Sequence, residues 1–157
     1  MTEKQINIRF EEYASIEEMA AEDRELASEA IAAMNNAYAP YSHFHVGAAV
    51  RMSNGQIVCG SNQENAAFPS GLCAERTAMF SASARFPDKE LRSIAIAGGV
   101  YGRLTMEPCT PCGACRQVMA QYQTKASKPM SVIMIGASRI WKFKKVDDIL
   151  PLIFDCI

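Results

Sequence analysis

The sequence predicts an α/β domain of three layers, α/β/α, built on one mixed sheet. Three observations predict it. The apolar runs "SIAIAGGV" and "SVIMIG" are continuous rather than alternating, as in strands covered on both faces. Helical patterns alternate with those runs along the chain. The length of 157 residues, with 49% hydrophobic and 21% charged residues, is enough for one full core without staples.

The elements follow in order. "INIRF" (6–10) alternates apolar and polar residues and is expected as a short strand. "SIEE", Ser15–Glu18, has the form of a capping box. It opens a long helix whose apolar stripe is Met19, Leu26, Ala30, Ile31 and Met34. That helix must end near Asn36, because Pro40 cannot continue it. "HVGAAVRM" and "IVCG" flank Asn54-Gly55, a strong hairpin signal. "SNQENAAFPSG" reads as a loop, "CAERTAMFSASARF" as a helix closed by Pro87, and "LRSIAIAGGV" as a buried strand. "CRQVMAQYQ" is a helix, "MSVIMIG" a buried strand, "RIWKFK" an edge strand and "VDDILP" a short final helix. No repeat or linker divides the chain, so residues 1–157 are expected as a single domain.

Charge and punctuation exclude several classes. The net charge is −1 with no basic block, which argues against a nucleic-acid partner. "MTEKQINIRFEE" is too charged for a secretory signal, and no apolar run is long enough to span a bilayer. The chain is therefore expected in the cytoplasm, away from membranes. There, clustered cysteines mean metal or catalysis more often than disulfides. Cys59 and Cys156 stand apart as plain thiols, the first as a small buried hydrophobe.

The chemistry concentrates in two stretches. "PCTPCGACRQ" carries Cys109, Cys112 and Cys115, and "GLCAERTA" carries Cys73 and Glu75. Cys112 and Cys115 are three apart in a helical first turn, so their sulfurs share a side. Cys73 begins another helix, and two helix N-termini meeting there would favour thiolates. Four thiolates would make a closed structural zinc site, whereas three leave one position for water. Glu75, two residues beyond Cys73, points to another side of its helix and suits a proton carrier better than a ligand. Spacing alone does not choose the pair, since Cys109 and Cys112 also fit Pro-Cys-x-x-Cys.

Taken together, "PYSHFHVGAAV", "NQENAAF", "GLCAERTA" and "PCGACRQVM" resemble the cytidine deaminase family, the small type acting on free nucleosides. "ILPLIF" resembles its terminal motif. The resemblance covers roughly residues 20–155 and leaves 1–17 as an N-terminal extension. It implies a cytidine deaminase-like fold and one zinc ion per subunit on Cys73, Cys112 and Cys115, with Cys109 outside the pattern. It implies Glu75 as the catalytic proton shuttle in hydrolysing cytidine or deoxycytidine to the uracil nucleoside and ammonia. It places Asn62 and Glu64 on the sugar hydroxyls and Phe44 against the pyrimidine, with Asn65 bracing the loop. It implies a homotetramer, in which Tyr41 and Phe154 match positions that complete a neighbour's site, and a role in pyrimidine salvage. Arg76 is a candidate to offset the charge of three thiolates. His43 and His45 lack the ligand spacing of a metal pair. The competing expectations are a blasticidin-S-type deaminase, a non-catalytic zinc module that adds Cys109, and a polynucleotide editor, which the missing basic stripe disfavours.

Overall fold

The computed structural model describes residues 1–155, so Cys156 lies outside the described residues. Six strands form one mixed sheet: β1 (Glu11–Tyr13), β2 (Phe44–Met52), β3 (Ile57–Ser61), β4 (Leu91–Val100), β5 (Ser131–Ile135) and β6 (Ile140–Phe143). Their spatial order is β1-β6-β5-β4-β2-β3. Only β4 and β5 pair in parallel; the other neighbours are antiparallel. Helix α1 (Ala21–Ala33) covers one face, where Leu26, Ala27, Ala30 and Met34 pack on Ala49, Ala95 and Ile133. Helices α2 (Ala74–Arg85) and α3 (Gly113–Lys125) cover the other, where Met79 and Met119 pack on Ile94, Ile96 and Met134. The three-layer expectation holds, with one core on each side of the sheet.

Four local expectations are corrected. Residues 6–10 are exposed and outside the sheet; the N-terminal strand lies further on, at Glu11–Tyr13. There the Tyr13 hydroxyl and Glu11 carboxylate hydrogen bond at 2.8 Å, and Glu11–Tyr13 pairs with β6 in register. That pairing makes β6 an inner strand, so "RIWKFK" is not an edge. The SIEE segment forms a 3-10 turn over Ile16–Glu18 rather than a helix start, and Glu18 accepts from the Ala14 N–H at 2.9 Å instead of closing a box on Ser15. Cys59 is exposed rather than buried. Strand β3 is the sheet edge, and Cys59 Sγ lies 3.7 Å from the Glu29 carboxylate of α1. That carboxylate, after burial, helps push the Cys59 thiol up to about 11.

The hairpin forms where Asn54-Gly55 predicts it. The Gly55 N–H donates to the Met52 carbonyl at 2.9 Å, and Gly55 takes a φ of 86°. A left-handed residue after a tight turn returns the strand, which is why glycine stands there.

The topology decides where the site can be. Strand β2 is antiparallel to both β3 and β4, so β3 and β4 run the same way. Their C-terminal ends therefore lie at one edge of the sheet. The loops that follow them lead into α2 and α3, and both helix N-termini emerge at that edge, the usual place for ligands in such sheets. Helix α2 is seated closely: Ala74, Ala78 and Ala82 are fully buried along one stripe. A Cβ on Gly60 of β3 would come within 2.8 Å of the Ala74 carbonyl oxygen and 2.9 Å of the Ala78 Cα. Gly60→Ala is therefore expected to cost about 1–3 kcal/mol in urea unfolding, because the helix backbone must retreat. It should also weaken metal retention, since Cys73 and Glu75 travel with α2.

Candidate active site

Cys73 is the residue from which α2 starts, and Cys112 the one from which α3 starts. Two helix N-termini thus converge, as the cysteine spacing suggested. The Cys73, Cys112 and Cys115 sulfurs all lie within 4.8 Å of one another, with Cys73 and Cys112 4.0 Å apart. The Cys115 N–H donates to Cys112 Sγ at 3.4 Å, so the backbone of α3 itself favours negative charge there. Arg76, one turn along α2, donates from Nη2 to Cys73 Sγ at 3.5 Å. Its Nε is buried without a hydrogen-bond partner among the described residues.

The titration of these thiols is shared. The Cys115 thiol hydrogen bonds to Cys73, and with the Arg76 guanidinium it brings Cys73 down to about 5. The same bond, with burial and the Glu75 charge, pushes Cys115 well above the ordinary thiol range. Three sulfurs, with Cys73 favoured as a thiolate under a guanidinium, are a donor set ready for a soft divalent cation. Among the described residues this is the one group of three or more metal-ligating side chains so placed. Three thiolates at this separation fit zinc, whose sulfur ligands sit about 2.3 Å from the ion.

Glu75 lies in the first turn of α2 and is 4% exposed. Burial, then the Cys73 charge, raises its carboxyl above the usual carboxylate range. A buried carboxyl raised in this way beside the sulfur triad has the character of groups that move protons.

Cys109 stands apart from the sulfur triad. It packs at the base of β4, its sulfur 2.7 Å from where a Cβ on Gly98 would sit, with Phe44 Cε1 3.1 Å from the same point. Burial and the Glu75 charge push its thiol up to about 11. Its sulfur is not among the three that lie within 4.8 Å of one another. Cys109→Ala is expected to leave zinc content unchanged, measured by atomic absorption on the purified protein.

A cleft of about 600 Å³ opens beside Cys73 and Arg76, lined also by Tyr41, Asn62, Glu64 and Phe68. Glu64 Oε2 accepts from the Tyr41 N–H at 2.9 Å and the Ser42 N–H at 3.2 Å, and the Ser42 side chain, then these backbone groups, hold its carboxyl below the ordinary range. Asn62 accepts from the Val46 N–H at 2.7 Å and donates to the Phe44 carbonyl at 2.9 Å, continuing the backbone ladder of β2 with its side chain. Asn65 accepts from the Ala67 N–H at 2.8 Å, bracing its loop. The Phe44 ring lies against Gly98 and near Cys109, and Phe44 is not among the residues lining the cleft. His43 is exposed in a left-handed conformation and stacks on Tyr101 at 5.0 Å, remote from the sulfurs' donor set. Phe68 was not singled out from the sequence. It meets Tyr41 edge-on at 5.7 Å across the cleft, and its only sequence signal is an aromatic side chain in the "NAAFPSG" loop.

Residues 20–129 match the model of the cytidine and deoxycytidylate deaminase zinc-binding region. The chain is 46% identical over 96 residues to a cytidine deaminase of Halalkalibacterium halodurans, an alignment covering 61% of this chain and 68% of that protein. It is 41% identical over 86 residues to a probable cytidine deaminase of Dictyostelium discoideum, covering 55% of each. Among solved structures, the cytidine deaminase from Burkholderia pseudomallei superposes with a TM-score of 0.71 at 36% identity, covering 87% of this chain and all of that one. The cytidine deaminase from Mycobacterium tuberculosis superposes with a TM-score of 0.68 at 29% identity, covering 87% of this chain and 99% of that one.

Proposed function

The chain belongs to the cytidine and deoxycytidylate deaminase family, and on that premise we propose that it hydrolyses free cytidine and deoxycytidine to the uracil nucleoside and ammonia. Cytidine deamination is the activity it shares with the relatives it matches. Zinc is its metal, and Cys73, Cys112 and Cys115 would hold it. When bound, zinc supplies the Lewis acidity that makes water nucleophilic near neutral pH.

The remaining work falls to the chain's own groups. Glu75 takes a proton from the attacking water on its carboxylate and delivers it to N3 of cytosine as the water oxygen bonds to C4. It then carries a second proton to the departing amine, so that ammonia leaves and C4 keeps the oxygen. Arg76 offsets part of the thiolate charge, which three sulfurs would otherwise set against a second anion. Glu64 and Asn62, which line the cleft, are assigned to the ribose hydroxyls, and Phe44, outside the cleft lining, is assigned to the pyrimidine on the family resemblance alone. Glu64 is already oriented by two backbone N–H groups, so it would receive a hydroxyl without reorganising.

The observation that carries this reading is the sulfur triad at two helix N-termini with a buried carboxyl two residues from Cys73. The test is ammonia release from cytidine and deoxycytidine, with and without a zinc chelator. Chelator-sensitive turnover supports the reading; activity confined to blasticidin S overturns the substrate.

The finer assembly belongs to the same proposal. Phe154 is 69% exposed near the C-terminus, and its ring is available to a second copy of the chain. The homotetramer is checked by light scattering. Among the described residues no helix is long and apolar enough to cross a membrane. A reducing cytoplasm would keep the three thiols competent for metal.

A further inference from the structure

Helix α3 presents three polar side chains to the backbone of the C-terminal segment. Arg116, directly after Cys115, is half-buried. Its Nε donates to the Pro111 carbonyl at 2.9 Å and its Nη1 to the Ile149 carbonyl at 3.2 Å. Gln117 donates from Nε2 to the Phe154 carbonyl at 2.7 Å and accepts the Phe154 N–H at 3.3 Å. Gln123 accepts the Val146 N–H at 2.9 Å and the Met130 N–H at 3.1 Å, and donates to Asp147 at 2.8 Å. Among the described residues beyond β6 there is no strand, and the one regular element is a 3-10 turn over Val146–Asp148.

The Arg116 contacts differ from the other two in what they touch. Pro111 immediately precedes Cys112, and the Pro111 carbonyl oxygen belongs to the same rigid peptide plane as the Cys112 nitrogen. Holding that oxygen fixes the plane from which the Cys112 side chain departs. The loop that carries it, from Tyr101 to Pro111, has no regular structure. A guanidinium can hold two carbonyls at once in a fixed planar geometry, which an ammonium cannot reproduce.

We infer that Arg116 is a positioning residue for the metal site: it ties the peptide plane of Cys112 to the C-terminal segment at Ile149, and so slows the escape of zinc. The inference rests on the assignment of Cys112 and Cys115 as zinc ligands. Arg116 touches neither substrate nor metal and acts through Cys112. Partners of this outer kind are worth about 10- to 100-fold in metal affinity.

The experiment measures zinc transfer from the full-length protein to a chromogenic chelator, together with thermal unfolding. The parent is expected to hold one zinc per chain. Arg116→Lys and Arg116→Gln are expected to release it about 10- to 100-fold faster. Gln123→Leu loosens the same segment two turns further along α3; it should lower the thermal midpoint and leave the release rate at the parent value. Parent-like release from both Arg116 variants overturns the inference, as does equal acceleration in Gln123→Leu, which would mean general loosening. If the Arg116 variants do not fold, Ile149→Gly in the full chain keeps Arg116 while unseating the buried residue whose carbonyl it holds. Faster release there supports the tie, and unchanged release overturns it. A parent without zinc overturns the ligand assignment itself, and this inference with it.

Discussion

Glu75→Gln is expected to lower turnover on cytidine by about 10²- to 10⁴-fold, the range that positioned proton transfer supplies. The substitution keeps the shape of a side chain that is 4% exposed, so the α2 packing and the sulfur triad should persist. What it removes is the ability to take up a proton and give it back. A carboxyl can do both, and burial and the Cys73 charge raise this one above the usual carboxylate range; an amide can do neither. Zinc content should stay at the parent value, and nucleoside binding should persist. Ammonia release and metal analysis on the same sample check both statements. Turnover within tenfold of the parent would remove Glu75 from the reaction.

Cys115→Ala is expected to have the larger effect on the metal. Cys115 is the fully buried member of the triad and carries the hydrogen bond that holds Cys73 as a thiolate. Its removal therefore takes one donor and weakens a second. The loss in zinc affinity should exceed the roughly 100-fold upper range known for outer partners, and activity should fall with it. Retention of zinc at the parent affinity would place the metal elsewhere. The parent should also show proton-coupled uptake. Cys115 is held protonated in the metal-free protein, so binding must expel its proton, and zinc affinity should rise with pH across the neutral range. Competition titrations at two pH values read the sign directly. The contrast with Cys109→Ala, which lacks this coupling, separates a ligand from a bystander among the four neighbouring cysteines.

Much of the architecture was legible because its signals are local and redundant. The buried runs of β4 and β5, the Asn54-Gly55 turn and the Pro87 stop each act within a few residues, and each stands where the pattern put it. The misses share a physical cause. Residues 6–10 have the alternation of a strand, but β6 pairs with Glu11–Tyr13 instead, and alternation says nothing about which partner is offered. Cys59 follows the inward pattern of its strand, yet β3 is the sheet edge and Cys59 stays exposed there. Ser15 and Glu18 fit a cap, but the chain turns once in 3-10 form before α1 begins at Ala21.

The candidate site divides the same way. By itself the sequence determined the donor types, the acid two residues from Cys73, and the family motifs, because metal chelation and helix starts demand particular residues at short spacings. It left two cysteine pairs equivalent, since Cys109–Cys112 and Cys112–Cys115 have the same separation. The family resemblance chose between them, and the folded chain supplies the geometry: β3 and β4 run in the same direction, so α2 and α3 begin side by side and bring Cys73 to Cys112 and Cys115, while Cys109, on the same face of the sheet, packs against Gly98 outside that group. Spacing along a chain fixes which atoms are neighbours within one turn, but direction in a sheet decides which turns meet.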